Sequence, residues 1–204
     1  MNLRRGLRVS GGCAIFALVL TWSVLGVGYL TGMRLNFTGS LPKGLYWTTD
    51  APVGRGSYVM FCSPPENAFA EAAARRYFSP GHCPGGYRPL LKRVAGVSGD
   101  RVAVAQDGVR VNRRLLPWSR PLDADLGQRP LPHLAGKDFL LGPDQLWVMS
   151  DTQPYSFDSR YFGPIERGWI RAIVRPVLTW GPGGMFGPPA IDPAVAPLRI
   201  FSIR

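Results

Sequence analysis

A run of 25 residues without a charge, near the start of the chain, constrains the fold more than any other feature. It occupies 9–33 and reads VSGGCAIFALVLTWSVLGVGYLTGM. At 1.5 Å per residue, a helix of this length crosses the roughly 30 Å of a bilayer core. The apolar part of a cleaved signal peptide is usually shorter, about 7 to 15 residues. We therefore predict an uncleaved transmembrane helix, with a cleaved signal peptide as the alternative.

The residues on either side of this run predict the orientation of the chain. The first eight residues, MNLRRGLR, carry three arginines and no acid, which favours a cytoplasmic start and export of the rest. A glycine- and proline-rich stretch, GPGGMFGPPAIDP, begins at 181 and predicts a loosely held end. We expect a basic segment and anchor at 1–33, one exported domain at 34–180 and a flexible tail at 181–204.

The net charge of +11 raises the question of an anionic partner. The basic residues are scattered along the chain and form no run of five or more, so we predict no nucleic-acid binding. The anionic surface of the bilayer beside the anchor is the simpler partner for this charge.

The exported part is dominated by short stretches typical of β-strands, separated by turn residues. They are GLYWTT, GSYVMFCS, LLKRVAGV, RVAVAQDGVRVN, DQLWVMSD and WIRAIVRPVLTW. The fourth contains Asp107-Gly108 between two alternating arms, which predicts a hairpin. An alanine-rich stretch at 66–78 favours a helix, expected as a solvated excursion from the sheet, and 117–143 is expected to be a long loop. The predicted class is mainly β.

Two cysteines fall in the exported part, where disulfides persist. A bond between Cys62 and Cys83 would close a loop of about 20 residues, worth on the order of 3 kcal/mol in the chain-entropy model. We predict this disulfide. Two free thiols are the alternative, and a metal site is disfavoured because His82-Cys83 lacks the paired ligand spacing of zinc sites. Cys13 lies in the anchor as a small apolar residue.

Ser40 lies between a glycine and a leucine-proline pair in NFTGSLPKGLYW, which by itself indicates only a turn. A serine nucleophile needs a neighbouring base, usually a histidine. His82 and His133 both lie in proline- and glycine-rich loops without an acid pattern beside them, and we expect them at the surface.

Lysine replaces histidine as a base only if its ammonium loses a proton. Lowering a lysine pKa from 10.4 to about 8 takes roughly 3 kcal/mol of desolvation or like-charge repulsion. Of the three lysines, Lys43 lies in the turn with Ser40 and Lys137 in a polar loop, whereas Lys92 lies in the apolar stretch PLLKRVAGV. Arginine keeps its proton and does not serve. A Ser40–Lys92 dyad is therefore chemically possible, and an edge-strand or ion-paired lysine is the alternative.

A polar segment, SDTQPYSFDSRYFGPI at 150–165, follows the predicted strand DQLWVM. Taken with SLPKGLYW and KRVAGVSGDRV, it gives three motifs in a fixed order. They resemble the type I signal peptidase superfamily of serine–lysine proteases. Within it, SLPKGLYW and CPGGYRPLLKRV resemble the conjugative-transfer peptidases called TraF. One departure is Ser150, where glycine is common.

The resemblance implies a signal-peptidase fold, shared with LexA-type self-cleaving proteins, and assigns roles to residues of this chain. It implies Ser40 as nucleophile and Lys92 as general base. It also implies Thr38 and the Ser40 N–H as donors to the oxyanion. The supporting residues it implies are Ser156, which hydrogen-bonds the lysine, the pair Asp158 and Arg160, which stiffens the site, and Asp151.

The function implied is a serine endopeptidase in the bacterial inner membrane, with its catalytic domain in the periplasm and no cofactor or metal. The implied substrate is a membrane-embedded precursor, above all a conjugative pilin. The acyl-enzyme would be resolved by water or by the substrate's own amino terminus, which would give a circle; helix 66–78 is the candidate for holding that terminus. The alternatives are a housekeeping type I signal peptidase and a non-enzymatic anchored subunit of a secretion or conjugation channel.

Overall fold

The structure, a computed structural model, describes the backbone of residues 3–150, 152–181 and 183–185, with side chains from residue 14. Asp151 and most of the predicted tail at 181–204 lie outside the described residues. Internal contacts divide the chain into two compact units, Met1–Arg34 and Leu35–Arg204. The predicted boundaries at 33 and 180 stay predictions.

The first unit consists mainly of helix α1, Leu3–Leu30. Its described side chains are exposed and largely apolar, among them Phe16 and Trp22. The helix ends where Gly32 adopts a φ of 114°, a conformation that favours glycine. Among the residues that the structure describes, no helix has the length and apolar character needed to cross a membrane. The transmembrane assignment stays a prediction.

The elements that follow α1 among the described residues are mostly strands. They are β1 (Met33–Asn36), β2 (Lys43–Thr49), β3 (Tyr58–Phe61), α2 (Asn67–Ala74), β4 (Leu90–Gly96), β5 (Arg101–Ala105), β6 (Gly108–Val111), β7 (Arg114–Leu115), β8 (Lys137–Leu140), β9 (Gln145–Met149), α3 (Ser159–Phe162), β10 (Ile165–Glu166) and β11 (Ile170–Trp180), the last preceded by a 3₁₀ turn at Arg167–Trp169. The predicted mainly β class is confirmed, and each of the six predicted strand stretches contains at least one strand.

The strands form two sheets. One has seven strands in the order β1-β2-β11-β3-β4-β9-β10, and the other has four in the order β7-β6-β5-β8. Strand β9 is buried on both faces: Leu146 and Val148 enter one apolar cluster, whereas Trp147 and Met149 enter the other. Alternate side chains of a strand point to opposite faces. β9 is therefore held between the two cores, and the segment that follows it starts from a rigid position.

Three local predictions need correction. The hairpin between β5 and β6 is present, but its turn is Gln106-Asp107, because Gly108 already pairs with Ala105. The long loop is interrupted by β8, which begins at Lys137, so this lysine lies in a strand rather than in a polar loop.

Helix α2 is shorter than the predicted 66–78 and is not simply solvated. It ends at Ala74 because Arg76 takes a left-handed conformation, with a φ of 60°. Phe69 is buried in the core, where its ring lies 4.6 Å from that of Phe162, centroid to centroid. α2 is thus an amphipathic helix that covers one edge of the core.

Candidate active site

Three side chains from separate elements meet at one point of the second unit. Lys92 Nζ donates hydrogen bonds to Ser40 Oγ at 2.8 Å and to Ser156 Oγ at 2.5 Å. Ser156 Oγ lies 3.3 Å from Ser40 Oγ. Ser40 comes from the turn between β1 and β2, and Ser156 from the loop between β9 and α3. The structure thus brings together a serine, a lysine and a second hydroxyl that were expected to form a site.

Lys92 owes its environment to the alternation of β4. Its neighbour Arg93 points outward, whereas Lys92 shares the inward face with Val94 and is only 4% exposed. Burial lowers the pKa of Lys92 from 10.5 to about 8; the Asp158 carboxylate raises this pKa and the Arg160 guanidinium lowers it. A substantial fraction of the lysine is therefore uncharged near pH 8.

Asp158 and Arg160 form a fully buried ion pair behind the lysine. Arg160 Nε and Nη2 donate to the two Asp158 carboxylate oxygens, at 2.7 and 2.9 Å. Nη2 also donates to the Ser156 carbonyl at 2.8 Å, and Nη1 donates to the carbonyls of Trp118 and Arg120. A guanidinium has five N–H groups, and all five are used here. The pair therefore holds the backbone at Ser156 and ties it to the 118–120 segment.

Burial lowers the pKa of Arg160, but the Asp158 carboxylate more than offsets this, so the net shift is upward. The guanidinium stays charged. Asp158 also caps the one-turn helix α3 by accepting from the Arg160 N–H. One carboxylate thus compensates the buried charge and begins the helix.

The turn that carries Ser40 is held by side chains that the motifs did not identify. Asn36, 5% exposed, donates from Nδ2 to the carbonyls of Leu41 and Pro42, at 3.3 and 3.0 Å. Its Oδ1 accepts from the Thr38 N–H, an Asx-turn contact two residues along the chain. The preference of asparagine for such turns is the sequence signal that could have identified Asn36.

The segment after β9 reaches the same turn. Ser150 Oγ donates to the Ser40 carbonyl at 2.5 Å, and Thr152 Oγ1 donates to the Gly39 carbonyl at 2.8 Å. Ser150, which stands where glycine is common, therefore adds a hydroxyl that contacts the backbone of Ser40. Asp151, between them, lies outside the described residues.

Thr38 lies two residues before Ser40 and is exposed. Its hydroxyl donates to Asn36 Oδ1 at 2.7 Å, so its single proton is engaged within the turn. The Ser40 N–H has no hydrogen-bond acceptor among the residues that the structure describes. Of the two expected oxyanion donors, the Thr38 hydroxyl is thus already hydrogen-bonded within the turn, whereas the Ser40 N–H is not bonded to any described residue.

The remaining candidates lie elsewhere in the domain. Cys62 and Cys83 are joined by a disulfide, with Cα atoms 5.4 Å apart. His82 is exposed, as expected. His133 is partly exposed, and its Nε2 lies 3.0 Å from Oδ1 of the exposed Asp123, an acid ten residues away in sequence.

The family model for signal peptidase, peptidase S26, matches residues 12–179. Two Escherichia coli relatives, each named plasmid transfer protein TraF, are 47% and 44% identical; the alignments cover 85% and 88% of this chain and 97% of each relative. A conjugal transfer protein TraF from Agrobacterium tumefaciens is 38% identical over 89% of this chain and all of the relative.

Among solved structures, a signal peptidase I from Enterococcus faecalis is similar over 62% of this chain and 100% of that chain, at 17% identity and a TM-score of 0.35. The chain belongs to the signal peptidase family, peptidase S26, and is a peptidase of the TraF type.

Proposed function

We propose that the chain is a membrane-anchored serine endopeptidase that cleaves an exported precursor with a Ser40–Lys92 dyad. The observation that carries the proposal is the 2.8 Å contact between Ser40 Oγ and the ammonium nitrogen of a lysine that is buried and has a pKa near 8. Serine needs a base to attack a carbonyl, and an uncharged lysine is such a base.

In the first step the uncharged Lys92 Nζ takes the Ser40 hydroxyl proton while Ser40 Oγ bonds to the scissile carbonyl carbon. The carbonyl π electrons move to oxygen, and donors at this oxygen stabilise its negative charge. The Ser40 N–H is one donor. Thr38 Oγ1 becomes the second when its hydroxyl turns from Asn36 Oδ1 to the oxyanion.

The tetrahedral intermediate then collapses. The carbon–nitrogen bond breaks, the Lys92 ammonium gives its proton to the departing amine, and an ester to Ser40 remains. Ser156 Oγ accepts from Lys92 Nζ and limits the directions in which the amine can point. The Asp158–Arg160 pair holds the Ser156 backbone through its carbonyl.

The ester is resolved by a second nucleophile. Lys92 takes a proton from water, the water oxygen bonds to the carbonyl carbon, the ester bond breaks and Ser40 recovers its proton, which gives a linear carboxylic acid. An amino terminus of the same substrate would give a cyclic amide instead. Well-oriented intramolecular groups reach effective concentrations of about 10⁵ M, far above water.

The substrate we propose is a pilin precursor of a conjugation system, embedded in the same membrane. The support is that the relatives at 38–47% identity are named for plasmid or conjugal transfer. We further propose that 1–33 anchors the chain in the bacterial inner membrane, with the catalytic domain in the periplasm and the basic residues near anionic lipid. The three arginines of the first segment and the apolar surface of α1 support this placement.

The dyad is tested by co-expressing the chain with the pilin precursor encoded nearest to its gene and comparing precursor with product on a gel. Ser40→Ala lacks the nucleophile, and Lys92→Arg keeps its proton, so neither should process the precursor. Lys92→Met controls for the size of arginine. Lys137→Arg, on β8, should process normally. Processing by Ser40→Ala or by both Lys92 variants would contradict the proposal.

The same assay separates the alternatives. A housekeeping signal peptidase would process unrelated exported precursors at a similar rate. A non-enzymatic channel subunit would support transfer equally well when it carries Ser40→Ala.

The intact mass of the product distinguishes hydrolysis from cyclisation, because a cyclic product is lighter than the linear chain by about 18 Da, the mass of one water. Protease added outside spheroplasts should digest the domain beyond Arg34; protection would reverse the proposed orientation.

A further inference from the structure

In the peptide unit that joins Gly39 to Ser40, the C=O group is hydrogen-bonded and the N–H group is open. Its carbonyl oxygen accepts from Thr152 Oγ1 at 2.8 Å. Its N–H, that of Ser40, has no acceptor among the described residues. A peptide unit is planar and trans, so its C=O and N–H point in opposite directions. Fixing the direction of the Gly39 carbonyl therefore fixes the direction of the Ser40 N–H.

The next peptide unit is fixed from the same side. Ser150 Oγ donates to the Ser40 carbonyl at 2.5 Å. A Cβ added at Gly39 would lie 3.1 Å from Gln153 Nε2, so the segment that follows β9 lies close against the turn. Two hydroxyls of one segment thus hold the two carbonyls that flank the Cα of the serine.

This arrangement has a chemical consequence for a serine peptidase. Hydrogen-bond donors stabilise an oxyanion best when they are oriented before the reaction, so that no reorganisation is needed as charge develops. A hydrogen bond accepted by the carbonyl of an amide also polarises the N–H of the same amide and makes it a stronger donor. The Thr152 contact supplies both effects to the Ser40 N–H.

We propose that Thr152 is a positioning residue for the reaction: its hydroxyl, acting through the Gly39 carbonyl, orients the Ser40 N–H as the oxyanion donor. Ser150 holds the carbonyl of Ser40 itself, in the next peptide unit. The inference rests on the proposed role of Ser40 as nucleophile. It assigns a role to a side chain that need not touch the substrate.

The test is steady-state processing of the pilin precursor by full-length Thr152→Val, which keeps the shape of the side chain and lacks the donor. Loss of a whole oxyanion donor costs about 10²- to 10³-fold in kcat, so loss of its orientation should cost about tenfold. KM should stay within about twofold, because the N–H acts on the transition state rather than on the bound substrate. Thr152→Ser keeps the hydroxyl and should restore kcat.

Two controls keep the outcomes apart. Thr48→Val, on β2 and away from Ser40, should leave kcat unchanged, and thermal unfolding of each variant reports any loss of structure. If Thr152→Val lowers the unfolding temperature but not kcat, the residue is merely structural and the inference is overturned. The inference is also overturned if Thr152→Ser is as slow as Thr152→Val. If Ser40→Ala still processes the precursor, the proposed function fails first.

Discussion

The two sides of Lys92 are built from different interactions. On one side Ser40 lies in a partly exposed turn whose carbonyls are held by uncharged side chains. On the other side Asp158 and Arg160 are both 0% exposed and hold each other with charged hydrogen bonds. Neutral contacts at a surface turn can be lost at modest cost, whereas a buried charge without its partner is expensive. The turn should therefore control rate, and the ion pair should control folding.

The sharpest test of this difference removes the buried cation. Arg160→Met removes the guanidinium that donates to the Asp158 carboxylate and to three carbonyls, and breaking a buried pair costs about 3 to 5 kcal/mol in the free energy of unfolding. Urea denaturation of the full chain in detergent measures this loss. The matched control is Arg110→Met, which breaks the exposed pair with Asp107 and should leave the midpoint near that of the wild type.

A small loss in Arg160→Met would contradict the division of roles. It would mean that water or a rearranged backbone replaces the guanidinium. The pair would then hold only the geometry of Ser156, and its contribution would resemble that of the turn.

The lysine between the two sides gives stability a dependence on pH. Its pKa is about 8 in the folded state and 10.5 when unfolded, so between these values the unfolded chain binds more protons and stability rises with pH. The cost of burial is fully present below pH 8 and is relieved above 10.5. Lys92→Met lacks this group, and its stability advantage over the wild type should shrink by about 3 kcal/mol from pH 7 to pH 11.

Denaturation of the two proteins at each pH measures this difference, in which the titration of other groups cancels. An advantage that does not change with pH would show that Lys92 has an ordinary pKa. Burial would then cost the charged lysine less than its surroundings indicate.

The same pKa predicts the pH dependence of the reaction. The base must be uncharged, so activity rises with pH and levels off above about 8. From pH 7 to pH 9 the uncharged fraction increases about tenfold. The ratio kcat/KM measured with subsaturating precursor reports this in the free enzyme, and a profile that is flat over this range would exclude Lys92 as the titrating base.

Local sequence patterns were sufficient for the framework of the site. The apolar character of PLLKRVAGV predicted the strand that carries Lys92, and the resemblance carried by the three ordered motifs implied which residues would meet. The physical reason is that a strand's two-residue period fixes which side chains face the core. The inward direction of Lys92 and the outward direction of Arg93 follow from it.

The contacts that the segment after β9 makes with the turn of Ser40 could not be predicted in this way. Ser150 and Thr152 are separated from the residues they contact by 110 and 113 positions. Arg160 binds carbonyls about 40 residues away, in the 118–120 segment. Such contacts depend on how loops approach one another after the strands have paired. Every residue has a backbone carbonyl, so the sequence does not show which carbonyls accept these hydrogen bonds.

Thr38 provides the most discriminating test of the turn. The resemblance assigns its hydroxyl to the oxyanion, but the same proton is donated to Asn36 Oδ1. Using it in the reaction requires giving up that bond, worth about 1 kcal/mol, which offsets part of the usual gain from an oxyanion donor. A loss of about 1 kcal/mol is about fivefold, so Thr38→Val should lower kcat by about 20-fold rather than by the roughly 10²-fold or more of an ordinary oxyanion donor, with Thr38→Ser close to the wild type. The assay is precursor processing at saturating substrate. A loss of about 10²-fold or more would show that the hydroxyl turns to the oxyanion at little cost, and that Asn36 holds it only in the absence of substrate.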